Sequence, residues 1–192
     1  MNLFETETKE TSLEAGGVVI GVAVALVTQN KDEEGLCRVK VSYPWHDKPR
    51  ESYWARLSMP MGGKERGLVF IPEVGDEVVV AFEREDLRFP FVLGALWNGK
   101  DRPPLANDDG KNAKRILQSR KKHYLLFDDN GFAVQDERGN VVKVDSNSGA
   151  MTIEATGQLK IKAATISIQA TGTLELQAGA TMTIRGSFVN IN

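Results

Sequence analysis

From Met151 onward the chain repeats itself about every eight residues, and no other feature restricts its fold so strongly. Each unit opens with four residues that alternate apolar and polar: Met151-Thr152-Ile153-Glu154, Leu159-Lys160-Ile161-Lys162, Ile166-Ser167-Ile168-Gln169, Leu174-Glu175-Leu176-Gln177, Met182-Thr183-Ile184-Arg185 and Val189-Asn190-Ile191-Asn192. The starts are 8, 7, 8, 8 and 7 residues apart. A period of two is that of a strand with one dry and one wet face. Alanine, threonine and glycine fill the gaps, and Gly157, Gly172, Gly179 and Gly186 supply bends. All twelve dry positions (Met151, Ile153, Leu159, Ile161, Ile166, Ile168, Leu174, Leu176, Met182, Ile184, Val189 and Ile191) are apolar, and every wet position is polar.

Two apolar side chains per octad make a strip, too few for one chain to enclose a core. A partner is required. The economical partner is another copy of the same strip, meeting it on a common axis as a symmetric homo-oligomeric β-prism. Closure also pairs strand edges that would otherwise template aggregation. In a three-chain prism each octad occupies one face, and strands ~4.8 Å apart advance the axis by roughly 5 Å per octad. Six octads then give a rod of roughly 30 Å. The alternative is an antiparallel meander that packs its strip on the rest of the same chain. Regular spacing without Pro, Asn-Gly or Asp-Gly turns argues against it.

The 192 residues divide into modules. Residues 1–16 form an acidic arm, expected to be flexible, with Glu5, Glu7, Glu10 and Glu14 and without the apolar core of a secretory signal. Val18 to Val27 is too short to span a bilayer. Synthesis in the cytoplasm without a signal peptide is therefore expected. Cys37 is the sole cysteine, which excludes an intrachain disulfide and suits a reducing compartment, with core filling as its expected role. A formal net charge of −2 gives no electrostatic reason to expect nucleic acid or an anionic membrane as the main partner.

Residues 17–105 read as a small all-β barrel. Its strand candidates are Val18-Val27, Cys37-Tyr43, Tyr53-Arg56, Gly67-Ile71, Glu77-Phe82 and Phe91-Leu96, with turns at Asp32-Gly35, Met61-Gly63, Pro72-Asp76 and Arg84-Asp86. Residues 106–123 read as a linker or neck. Its cations Lys111, Lys114, Arg115, Arg120, Lys121 and Lys122 suit a solvated surface better than a phosphate site. Alternation resumes at Tyr124 and runs through Phe132-Val134 and Val142-Val144 into the octads, so residues 124–192 form one spike-like module, with turns at Asn130-Gly131 and Gly139-Asn140.

Four strings carry a specific resemblance. They are Val39-Lys40-Val41-Ser42-Tyr43-Pro44-Trp45, Ser52-Tyr53-Trp54-Ala55-Arg56, the run from Gly67 through Pro72-Glu73-Val74-Gly75-Asp76 to Phe82, and Pro90-Phe91-Val92-Leu93-Gly94-Ala95-Leu96-Trp97-Asn98. Together they resemble the OB-fold domain of contractile-tail spike proteins: phage baseplate assembly protein V, the VgrG spike of type VI secretion, and spikes of extracellular injection systems. The resemblance implies an OB-fold barrel followed by an intertwined trimeric β-helix, hence a homotrimer in a phage tail or injection-system particle. It also implies a baseplate hub or tube protein at the N-terminal end, where Leu3 and Phe4 are the bulky apolar residues that open the arm. At the other end it implies a PAAR-type tip protein docked on Ser187, Phe188, Val189, Asn190, Ile191 and Asn192. The target membrane is met only on injection. Three departures matter. Residues 102–122 are too few to hold a lysozyme domain, no histidine near Asn192 provides an iron-binding His-x-His apex, and the large hub domains of VgrG are expected to be supplied by a separate hub protein.

Enzyme readings fare poorly. His46 and His123, the only histidines, lie in different modules without a nucleophile motif. Asp128-Asp129-Asn130-Gly131 lacks the rest of a calcium loop, and Gly62-Gly63-Lys64 lacks the spacing of a phosphate loop. Tyr43, Trp45, Tyr53 and Trp54 are conceivable stacking platforms for single strands, but no basic groove accompanies them. No catalytic residue, cofactor or metal is expected. The competing function is a free-standing trimeric fibre or adhesin that binds a surface glycan.

Overall fold

The computed structural model describes residues 21–45 and 51–191. The chain divides after Ala106 into two compact units. Strands dominate both, and no α-helix occurs among the described residues.

The first unit is a barrel built on the sheet order β2-β1-β6-β7-β3. These strands are β1 (Val22–Gln29), β2 (Lys40–Ser42), β3 (Arg56–Leu57), β6 (Glu77–Phe82) and β7 (Pro90–Leu96). Alternation decides which side chains turn inward: Ala25 and Val27 on β1, Val78, Val80 and Phe82 on β6. They meet Val39, Val41, Tyr43, Ala55, Leu87 and Val92 in a single core. Fully burying each Val or Leu contributes roughly 1.5–3 kcal/mol. β3 runs parallel to β7, and a bridge between Val39 and Ala55 ties the β2 side to the β3 side and closes the sheet. Val79 pairs with Gly94 and Val80 with Val92, so Leu93 is a bulge that bends β7 against β6.

Three expectations for this unit need correction. Strand β1 begins at Val22 and runs on to Gln29, while residues 18–20 lie outside the described residues. Gly67-Ile71 is not a strand: only Gly67 is in one, in the hairpin of β4 (Gly62–Gly63) and β5 (Arg66–Gly67), and Leu68 to Ile71 are exposed. The barrel edges are already paired with each other, so that run finds no free strand to join. Cys37 is exposed with φ 55° and fills no core. The β1–β2 loop is clamped by Asp32 and Arg38 at 2.8 Å, which turns the residue before Arg38 outward.

The second unit is an antiparallel meander in the order β12-β11-β10-β9-β8. Its strands are β8 (Arg115–Gln118), β9 (Tyr124–Asp128), β10 (Gly131–Gln135), β11 (Val141–Asp145) and β12 (Ala150–Glu154). The segment expected to be a neck thus supplies the strand β8. Three of the four hairpins are set by an aspartate whose Oδ1 accepts backbone N–H bonds of the turn. Asp128 takes Asn130, Asp136 takes Arg138 and Asn140, and Asp145 takes Asn147 and Ser148, all at 2.8–3.0 Å. After Ser148 the sequence has no aspartate, and asparagine returns only at Asn190. Strand pairing within the chain ends at Glu154, and no residue from 155 to 191 is in a strand. The first octad, Met151 to Glu154, is therefore the edge strand of a meander, as the alternative reading had it for the whole run, and one chain alone makes no β-helix.

Candidate assembly surface

Register brings the apolar residues of the meander into two rows on one face. Leu117, Leu125, Val134, Val142 and Ile153 stand opposite one another in succession from β8 to β12. Phe127, Phe132, Val144 and Met151 form the second row, headed by Arg115. Phe127 and Phe132 face each other with ring centroids 6.1 Å apart. Each of β9 to β12 thus contributes two apolar residues spaced by two, which is also the content of an octad.

Much of this face is open among the described residues. Phe127, Phe132, Val134, Met151 and Ile153 are exposed, while Leu125 and Val144 are half-buried by their neighbours in the sheet. A hollow of about 710 Å³ over the first row is lined by Leu117, Val134, Val142 and Ile153, and also by Leu159 of the second octad. Sheet face and octad strip are therefore continuous. The opposite face is more polar: Tyr124 Oη donates to Gln135 Oε1 at 2.7 Å, and Lys143 and Asp145 share that side.

All twelve residues predicted for a trimer axis are exposed, between 47% and 87%. Met151 and Ile153 are on β12, and the other ten follow it outside any strand. Ser187, Phe188, Val189, Asn190 and Ile191 are exposed as well. Asn192, Leu3 and Phe4 lie outside the described residues. The sequence reading stopped short of Leu117, Leu125 and Phe127 as members of the same surface. The signal was present, since Leu125-Phe127 has the spacing of Met151-Ile153.

Other candidates separate cleanly. Tyr43 is buried at the core and cannot stack a base, and His46 lies outside the described residues. His123 is exposed in the β8–β9 hairpin, where its backbone N–H donates to Ser119 Oγ. Asp128 accepts from the turn it makes, and no group of three metal-ligating side chains occurs among the described residues. Two turn aspartates hold their protons weakly. The hydrogen bond from the Asn140 side chain lowers Asp136, and the Ser148 backbone N–H lowers Asp145.

The barrel decides the kinship. Residues 23–97 match the family described as the type VI secretion system/phage-baseplate injector OB domain. The barrel is similar to an injector OB domain. Among curated proteins it is similar to the type VI secretion system spike protein VgrG1c of Pseudomonas aeruginosa, 37% identical over 95 residues, which cover 45% of this chain and 13% of that one. It is also similar to the spike protein VgrG3 of Vibrio cholerae serotype O1, 32% identical over 109 residues, 53% of this chain and 11% of that one. The actin cross-linking toxin VgrG1 of Vibrio cholerae serotype O1 is 29% identical over 129 residues, 63% of this chain and 12% of the toxin. The chain spans 11% to 13% of the length of these three relatives. Together the matches bear out the resemblance to VgrG-like baseplate and spike proteins.

Proposed function

We propose that this protein is a non-enzymatic, homotrimeric spike of a contractile injection machine, in which an injector OB domain is followed along the chain by octads that form a shared prism. The observation that carries this reading is the uninterrupted apolar surface from the β8–β12 sheet into the octads, left open by the single chain. A contiguous apolar surface of this kind marks an interface. Three copies meeting face to face dry the two rows, and strands of neighbouring chains supply the backbone partners that residues 155–191 lack. The relatives are named as spike proteins, which supports the same role.

In the assembled machine, Leu3 and Phe4 anchor the trimer to a hub or tube protein, and Ser187 to Asn192 receive a monomeric PAAR-type tip. The prism then carries load through interchain hydrogen bonds as it meets a membrane during injection.

Mass measurement in solution tests the trimer: light scattering should return three times the 21.1 kDa of one chain. A monodisperse monomer of the full chain overturns it. For the tip, Ile191→Lys should abolish capture of the cognate tip protein and leave the trimer intact. Undiminished capture places docking elsewhere. Removal of residues 1–16 should likewise spare the trimer and weaken its incorporation into particles.

A further inference from the structure

A second surface, on the barrel, is unused by the assembly described above. A groove of about 480 Å³ is lined by Arg38, Tyr53, Trp54, Arg56, Glu83, Arg88, Phe89, Pro90 and Phe91. Its position follows from topology. Taking β1, β2, β3, β6 and β7 as the five barrel strands, Arg38 closes the loop between the first and second, and Tyr53, Trp54 and Arg56 lead into the third. Glu83, Arg88 and Phe89 belong to the loop between the fourth and fifth. That face and those two loops are where OB-folds take oligonucleotides and oligosaccharides.

We propose that this groove binds a short stretch of a neutral oligosaccharide. Two observations select sugar over nucleic acid or an acidic peptide. First, every guanidinium in the groove already has a carboxylate: Arg38 has Asp32 at 2.8 Å and Glu34 at 3.1 Å, Arg56 has Glu83 at 3.4 Å, and Arg88 has Asp86 at 2.6 Å. A polyanion needs an unneutralised basic track. A sugar hydroxyl instead needs a donor and an acceptor side by side, and a guanidinium with five N–H groups keeps donors to spare beside the Glu83 carboxylate.

Second, the rings differ in availability. Arg56 covers Phe91 at 4.5 Å from its centroid, and Lys40 and Arg38 cover Trp54 at 5.1 and 5.7 Å. Arg88 likewise lies over Phe89, at 5.7 Å, whereas Tyr53 is 62% exposed. An open aromatic face flanked by paired charges matches the C–H face and hydroxyl rim of a pyranose, and the volume lies in the range of about 300–1,000 Å³ usual for small-ligand sites. The site belongs to the barrel alone and stands whether or not the chain trimerises.

Calorimetric titration of the full chain with chitohexaose and with cellohexaose tests the site, with an oligothymidylate and a glutamate-rich peptide as competing ligands. Saturable binding of one of the two sugars is expected. Tyr53→Ala and Phe89→Ala should each weaken it by about tenfold, equivalent to about 1.4 kcal/mol. Trp97→Ala should leave it unchanged, because that ring is 70% exposed but lies off the groove. Both groove substitutions are at exposed positions, and circular dichroism of each variant confirms the fold. Absence of saturable sugar binding overturns the proposal. So does sugar binding that survives both groove substitutions, or preferential uptake of the oligothymidylate or the peptide.

Discussion

Asp32 organises the β1–β2 loop almost alone. Its carboxylate, 2% exposed, accepts the Arg38 guanidinium through both oxygens and also the backbone N–H groups of Glu34, Leu36 and Arg38. The Arg38 hydrogen bond holds the Asp32 carboxyl far below the usual carboxylate range. Because the folded value is depressed, its stabilising effect is complete above the unfolded value of about 3.9 and is lost as the pH falls through the folded one. Asp32→Asn should therefore lower the thermal midpoint at neutral pH, and the gap from the parent should narrow as the pH drops below about 4. A gap that is constant with pH excludes the ion pair as its source. Gly131 makes a different demand. Its φ is +148°, and a Cβ there would collide with the Val144 carbonyl oxygen. Gly131→Ala should cost at least about 1–3 kcal/mol from backbone strain alone, visible as early thermal unfolding of the second unit.

At the scale of elements, the meander and the octads differ in their turns and not in their strands. Leu125-Phe127, Phe132-Val134 and Val142-Val144 have the same apolar spacing as Leu159-Ile161 and its successors. Aspartate at the turn gives a hairpin, and alanine, threonine and glycine give none. Much of this was legible in advance: the strips by their period of two, β6 and β7 nearly to the residue, and the turns around Gly131 and Gly139. Strand β8 was hidden because four of the twelve residues from Lys111 to Lys122 that frame it are lysines, which read as solvated surface. Cys37 was misplaced because its conformation is set by a clamp between residues six apart, which periodicity does not register. Residues 159–191 pair with no strand of the chain, and an alternating pattern marks which side chains share a face without saying where the backbone partners lie. Phe132→Glu separates folding from association. The face is open in the single chain, so the sheet should form, but three carboxylates brought together in a dry centre cost several kcal/mol each. Unchanged circular dichroism with a monomeric mass is expected, and a persistent trimer places the interface on another face.

For the molecule as a whole, the two units should answer differently to dilution. The barrel buries its core within one chain, so its unfolding should be independent of concentration. In the proposed trimer the second unit gains its stability from other copies, and its thermal midpoint should rise with protein concentration. Calorimetry over a wide dilution series checks this, and two transitions that both ignore dilution speak against it. The aspartate turns also impose an order in time. Hairpins of this length close in roughly 1–10 μs without outside help, so everything up to Glu154 can finish while the polypeptide is still solitary. In the proposed trimer the remaining stretch has to wait for company. Copies that meet do so with sheets already formed, and the first contact sets which octad lies beside which before any octad after the first has paired. Winding then proceeds one way, toward Asn192, and a slipped start is corrected at the cost of the last few units instead of the whole rod.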